Sequence, residues 1–193
     1  MRINQKELNK IIKNKNTNNS KLNKPKRTYY DRLDEAIKTG FVFSNDEVKI
    51  SSESIVFKFN DVVFLSHNDI LRIHFKRMYK YIKLWKDRVK EICKDKDFSE
   101  WSINKDYPIK IEFLYNTKNN EFLDYDSTIG AFKFILDGFT ENGVIMDDSM
   151  DYVPIILSKQ RKNKKNNSIY VVITPLNLNE YENYFSKEFK NID

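Results

Sequence analysis

Tyr107-Pro-Ile-Lys-Ile-Glu-Phe-Leu-Tyr115 alternates apolar and polar residues, with Ile109, Ile111 and Phe113 on one side and Lys110 and Glu112 on the other. A two-residue period of this kind marks a strand with one face in a core and the other in water. After a turn at Asn119-Asn120, Ile129 to Phe139 reads as a compact helix that Asp126, Ser127 or Thr128 can cap, and Asn142-Gly143 reads as the turn that follows. Tyr152 to Leu157 and Ser168 to Ile173 read as a final strand pair joined by a basic loop, Lys159 to Lys165. A strand–helix–strand excursion returns the chain beside its starting point.

Upstream, Phe41-Val-Phe43, Val48 to Ile50, Ile55 to Phe59 and Val62 to Leu65 are β-branched and aromatic runs broken by Asn60-Asp61, and read as strands or a hairpin. From Asn68 or Asp69, either of which can cap, the pattern turns helical as far as about Lys94. Leu71, Phe75, Met78, Ile82, Trp85, Val89 and Cys93 recur at three- and four-residue steps and are the expected inner stripe. Arg72, Lys76, Arg77, Lys80, Lys83, Lys86, Arg88 and Lys90 crowd the expected outer face. Tyr30 to Lys38 also looks helical and closes at Gly40. Residues 1–30 hold nine basic residues and one acidic, Glu7, and should form a flexible arm, with a short helix around Lys6 to Ile12. Beyond Pro175, Asn177 to Phe189 reads as a terminal helix.

With 193 residues, of which 40% are hydrophobic, the chain is long enough for one domain with a real core. A net charge of +6 favours a polyanionic partner. The lone Cys93 excludes an internal disulfide and a Cys-rich zinc site, and its helical setting suggests a buried thiol. No apolar run reaches the roughly 18–20 residues of a membrane span. No segment of signal-peptide type opens the chain, so a cytoplasmic protein without a membrane partner is expected.

Asp124-Tyr-Asp126, Lys133-Phe-Ile-Leu-Asp137-Gly138 and Gly143-Val-Ile-Met-Asp147-Asp148 pack carboxylates around a single helix. Carboxylates so close repel one another unless a cation lies between them, and a hard divalent ion suits oxygen ligands. Asp124 and Asp126 would share one side of an extended strand end, and Asp148 would arrive where a neighbouring strand begins. Three converging oxygens fit Mg²⁺ or Mn²⁺. The plain alternative is a rim of turn and cap aspartates.

In their order and spacing these motifs resemble the RusA family of Holliday-junction resolvases, particularly the phage-type endonucleases. Ser66-His-Asn-Asp-Ile-Leu71-Arg72-Ile-His74-Phe resembles the segment that opens the family's first long helix. The resemblance covers Val62 to Thr174 and implies an α+β fold, a small mixed β-sheet flanked by helices. It implies an endonuclease domain over 61–175, between a basic extension over 1–60 and a helical tail over 176–193. Asp124, Asp126 and Asp148 would hold Mg²⁺, with Mn²⁺ as substitute, and Lys133 would act beside them in cutting branched DNA, the enzyme working as a homodimer. Arg72, His74, Lys76, Arg77, Lys159, Arg161 and Lys162 are the candidate DNA contacts, with His67 beside them. Asp137 and Asp147 would support these groups rather than ligate. Ser127 departs from the family, which has Asn there, and the gap from Asp126 to Lys133 is longer than in the compact bacterial form. The rival readings are a DNA-binding protein without cleavage, a nuclease for another branched substrate, and a structural or regulatory protein whose acidic cluster binds Ca²⁺ or nothing.

Overall fold

A computed structural model of the chain describes residues 31, 34, 37, 38, 45–62, 65–99, 108–118, 125–163, 165–177, 179 and 181–183, with side chains 125–127 and 129–131 left undescribed. Five strands form one sheet: β1 (Glu47–Ile50), β2 (Ile55–Asn60), β3 (Ile109–Thr117), β4 (Ile155–Lys162) and β5 (Ser168–Pro175), in the order β1-β2-β5-β3-β4. Among the described residues, the helices with defined bounds are α1 (His67–Arg72), α2 (Phe75–Cys93) and α3 (Tyr125–Glu141), and Asp31, Asp34, Ile37 and Lys38, within the helix expected from Tyr30 to Lys38, are helical too. Only β3 and β4 run parallel, and every other neighbouring pair is antiparallel. The α+β architecture, a small mixed sheet flanked by helices, is therefore as expected. The basic arm over 1–30, the short helix around Lys6 to Ile12 and the strand at 41–43 lie outside the described residues. Of the terminal helix expected from Asn177 to Phe189, Asn177, Asn179 and Tyr181 to Asn183 are described; Asn177 is not helical and the others are.

One face of the sheet carries the core. Ile55, Phe57 and Phe59 of β2, Ile111, Phe113 and Tyr115 of β3, and Ile169, Val171 and Ile173 of β5 are all buried. Residues between them on the same strands are only half-buried, the signature of a sheet covered on one side. α2 and α3 both supply the cover. Trp85 of α2 meets Phe59 edge to face, and Phe132 of α3 stacks on Phe113 with ring centroids 3.9 Å apart. β1 and β2 belong to this same sheet, so it runs across the expected boundary between residues 60 and 61.

Three local expectations are corrected. First, β4 and β5 are not partners, because β3 lies between them. The connection from β4 steps over the end of β3, held by Asn163 N–H on the Thr117 carbonyl (2.8 Å) and Lys118 N–H on the Asn167 side chain (2.7 Å). Lys159 to Lys162, expected in a loop, are strand residues. Alternation identifies a strand but carries no information about which neighbour it joins.

Second, the long helix is two helices. Ser66, not Asn68 or Asp69, caps α1, and Asp69 returns the bond as the third residue of a capping box. Ile73 is extended (ψ 138°), and His74 starts α2 by accepting from Lys76 N–H at 3.4 Å. Leu71, expected inside, is left on the short first helix and Phe75 at the very start of the second, and they are 68% and 62% exposed. Trp85, Val89 and Cys93 of the expected stripe are buried, together with Tyr81 and Leu84.

Third, Arg88, assigned to the outer face, points inward and is only 3% exposed. Its guanidinium grips Asp46 through two bonds, Nε to Oδ2 at 2.5 Å and Nη2 to Oδ1 at 2.6 Å. Nη2 also donates to the Asn60 carbonyl, and the group lies over the Phe59 and Trp85 rings.

Two glycines of the motif region have structural work. A Cβ on Gly138 would lie 2.9 Å from Val89 Cβ, so this glycine lets α3 close onto α2. Gly143 is left-handed (φ 67°) and ends α3 in a Schellman motif: Gly143 N–H reaches the Thr140 carbonyl (3.2 Å) and Val144 N–H the Phe139 carbonyl (2.9 Å). Gly138→Ala should destabilise the fold, because overpacking costs about 1–3 kcal/mol against a gain in helix propensity of up to about 1 kcal/mol. Urea midpoints check this, and the cost should shrink only in part in a Val89→Ala background, which removes the methyls at 3.0 and 3.2 Å but keeps the Cβ at 2.9 Å.

Candidate cation site on α3

α3 is the crossover between the parallel strands β3 and β4, so its start lies toward their carboxyl ends. Gln160 of β4 donates to the Thr128 hydroxyl there at 3.2 Å. Asp126 is in the first turn, and Lys133 and Asp137 follow at seven and eleven residues. At 100° per residue these positions fall along one stripe of the helix, with Asp126 about 10 Å from Lys133 along the axis. The Asp126 side chain and all of Asp124 lie outside the described residues.

Asp148 comes from the segment after α3. Val144 and Ile145 are buried and anchor that segment, while Tyr152 and Val153 N–H close a turn on the Ser149 carbonyl at 3.1 and 2.8 Å. Asp147 Oδ1 accepts from the neighbouring Asp148 N–H at 2.9 Å. Asp148 therefore does not head a strand as expected, since β4 begins only at Ile155.

Lys133 joins the pieces. Its Nζ donates to Asp148 Oδ2 at 2.7 Å and to Asp137 Oδ1 at 3.0 Å. The hydrogen bond to Asp148, then that to Asp137, raises the Lys133 pKa above the ordinary 10.5. Its pairing is thus fully present below about 10.5 and is lost only as pH climbs through the raised value. With Lys133 59% exposed, water screens this pair and its net stabilisation is small. Among the described residues, no group of three or more His, Cys, Asp or Glu could hold a metal ion. What is brought together is two carboxylates from separate segments with an ammonium between them. Cys93 is buried, and burial pushes its thiol up to about 12, so it is inert at neutral pH.

The expected basic contacts do not form one surface. Arg72 ends α1, His74 caps α2 with its ring against Phe75, and Lys76 and Arg77 are exposed on the first turn of α2. Arg77 lies 3.9 Å from Asp34. His67 is the first residue of α1. Lys159 and Arg161 are in register with Leu114 and Asn116 on the sheet face opposite the helices. There Lys159 bonds Glu112 at 3.1 Å and Arg161 Nε bonds Asn116 Oδ1 at 2.5 Å. Together with Lys110, Lys159 holds the Glu112 carboxyl below its ordinary pKa. Lys162 is exposed at the end of β4. The sequence reading missed the buried Arg88–Asp46 pair. The signal was available, since Arg88 falls seven residues after Tyr81 and four before Ile92 on the buried stripe.

No family model and no curated protein matches the chain. Among solved structures, the periplasmic domain of Helicobacter pylori MotB is similar over 80% of this chain and 93% of its own, at 10% identity and a TM-score of 0.34. The cell wall anchor of the T6SS from Pseudomonas aeruginosa is similar over 78% and 99%, at 8% identity and a TM-score of 0.32. For the OmpA-like domain of FopA1 from Francisella tularensis the shares are 68% and 81%, with 11% identity and a TM-score of 0.25. At such scores the likeness carries no statement about what this chain binds or where it works. The resolvase resemblance finds no support: no family model and no curated protein carries it, and the solved structures named here are a periplasmic domain, a cell wall anchor and an OmpA-like domain. Family membership is therefore withdrawn. With it go the endonuclease activity, both of its DNA-directed alternatives, the branched-DNA partner, the homodimer, the absence of a membrane partner and the cytoplasmic location.

Proposed function

We propose that this chain is a divalent-cation-binding module that takes Mg²⁺, with Mn²⁺ as substitute, at Asp148 together with Asp126 and Asp124. The observation that carries the reading is the Lys133 ammonium lodged between Asp148 and Asp137, carboxylates from two separate segments. A lysine so placed marks a pocket of negative potential that already selects a cation. An ion with oxygen ligands would draw on Asp148 and on Asp126, which lies two turns up the same helical stripe. The donor set is all carboxylate, which suits a hard ion better than zinc or copper. In this reading Asp137 holds Lys133, and Asp147 fixes the backbone of Asp148.

Lys133 competes with the ion, and this gives the test its sign. Calorimetric titration of the full chain with Mg²⁺ and Mn²⁺ should show Asp148→Asn weakening affinity by about tenfold or more. Lys133→Gln should strengthen it several-fold. Mn²⁺ should also broaden the Asp148 amide resonance selectively. If Asp148→Asn binds like the unaltered chain, or if neither ion binds at all, the reading is wrong and the cluster is only an ion-paired rim.

A further inference from the structure

We propose that the outward face running from the end of α1 along α2 docks on an anionic lipid surface. Leu71 at the end of α1, and Phe75 and Tyr79 one turn apart at the start of α2, are 68%, 62% and 66% exposed. Each is followed directly by a cation: Arg72, Lys76 and Lys80. Residues 70–86 contain no acidic side chain. Arg72, Lys76, Lys80 and Lys83 have no ion-pair partner among the described residues, whereas Lys86 is bonded to Glu141 and Arg77 lies near Asp34. Large apolar side chains left this exposed call for a cover, and the cation that follows each of them specifies what that cover should be.

Charge complementarity calls for a negative surface, and the projecting apolar residues call for one they can enter. Basic side chains beside Leu, Phe and Tyr match a bilayer interface, where lysine and arginine meet headgroups and aromatic rings sit at their level. The chain's own first thirty residues are a poor cover, because nine of them are basic and one is acidic. No helix among the described residues is long and apolar enough to cross a membrane. Docking in the plane of the interface needs no such helix. The inference is independent of the cation site, sharing no residue with it.

The test is co-sedimentation of the full chain with phosphatidylcholine vesicles and with mixed phosphatidylcholine–phosphatidylserine vesicles, at low and high salt. Binding should require phosphatidylserine and weaken with salt. Lys76→Gln with Lys80→Gln should reduce partitioning roughly 25-fold, at about fivefold per charge. Leu71→Ser with Phe75→Ser should reduce it by at least about fivefold. Both positions are solvent-exposed, so the fold should survive, and circular dichroism checks that. A Phe75→Trp reporter should shift its emission to the blue on vesicles. Unchanged binding by the lysine variant would place attachment on the basic N-terminal residues and overturn the proposal. An inert Leu71–Phe75 variant would reduce the face to a general polyanion surface, which also overturns it. So would a chain that ignores vesicles but captures an acidic amphipathic peptide.

Discussion

Arg88→Met should lower the unfolding free energy by about 3–5 kcal/mol, the loss expected when one member of a buried ion pair is removed. The geometry explains the size. Both partners are almost fully enclosed, with side chains 4% and 2% exposed, and two parallel bonds join them. Without the guanidinium, Asp46 keeps its bond from Asn60 N–H (2.8 Å) but loses its counter-charge inside the protein. The Asn60 carbonyl loses a donor as well, and the Phe59 and Trp85 rings lose a cation above them. Guanidinium-chloride unfolding at neutral pH measures the change. The double variant Arg88→Met/Asp46→Leu should recover most of the loss, because the uncompensated charge goes with it. It should not recover all, since Asn60 N–H is left without its acceptor. A single variant that cost no more than a surface substitution would show water reaching the pair in solution.

Legibility in the sequence followed physical rules that act locally. The alternation of Ile109, Ile111 and Phe113 required a one-sided strand, and β3 is one, because pleating permits no other placement. The helix over 129–139 and the turn at Gly143 were legible for the same reason, and α3 is longer than expected by its first turn. Adjacency was not legible. Nothing in the composition of β4 or β5 says that β3 lies between them, since many orders satisfy the same burial pattern. The break at Ile73–His74 was not legible, because a capping nitrogen on His74 starts a new helix that hydrophobic spacing alone runs straight through. Arg88 was misplaced because a charged residue is normally read outward, although its spacing from Tyr81 and Ile92 put it on the buried stripe.

The acidic motif illustrates the limit most clearly. Gly138 meets a packing demand against Val89, Gly143 closes a helix, and Val144 and Ile145 fill the core. Half of a pattern that looked functional is thus explained by folding. Lys133, Asp137 and Asp148 remain as the part of it with no role in packing, and the titration of their variants is what decides between a site and a rim.

Phe57→Ala should cost about 3–5 kcal/mol, at the upper end for a single core truncation. Phe57 is wholly enclosed and sits where three parts of the fold meet. Its ring lies 4.5 Å from Phe139 of α3, 6.1 Å from Phe98 beyond α2, and 6.3 Å from its strand neighbour Phe59. Each ring contact adds about 0.5–1.5 kcal/mol to area burial, so truncation loses contacts as well as buried surface. The cavity cannot collapse easily. Phe57 is held in register with Val48 on one side and Val171 on the other, and Gly138 already brings α3 as close to α2 as Val89 allows. Phe57→Leu, which keeps most of the volume, should cost markedly less, and the gap between the two variants measures how rigid the surrounding layer is. The same comparison at Phe75, 62% exposed, should show no such gap and a change within about 0.5 kcal/mol. If Phe75→Ala proved as costly as Phe57→Ala, α2 would be turned the other way in solution. The exposed face argued to meet a lipid surface would then be part of the core.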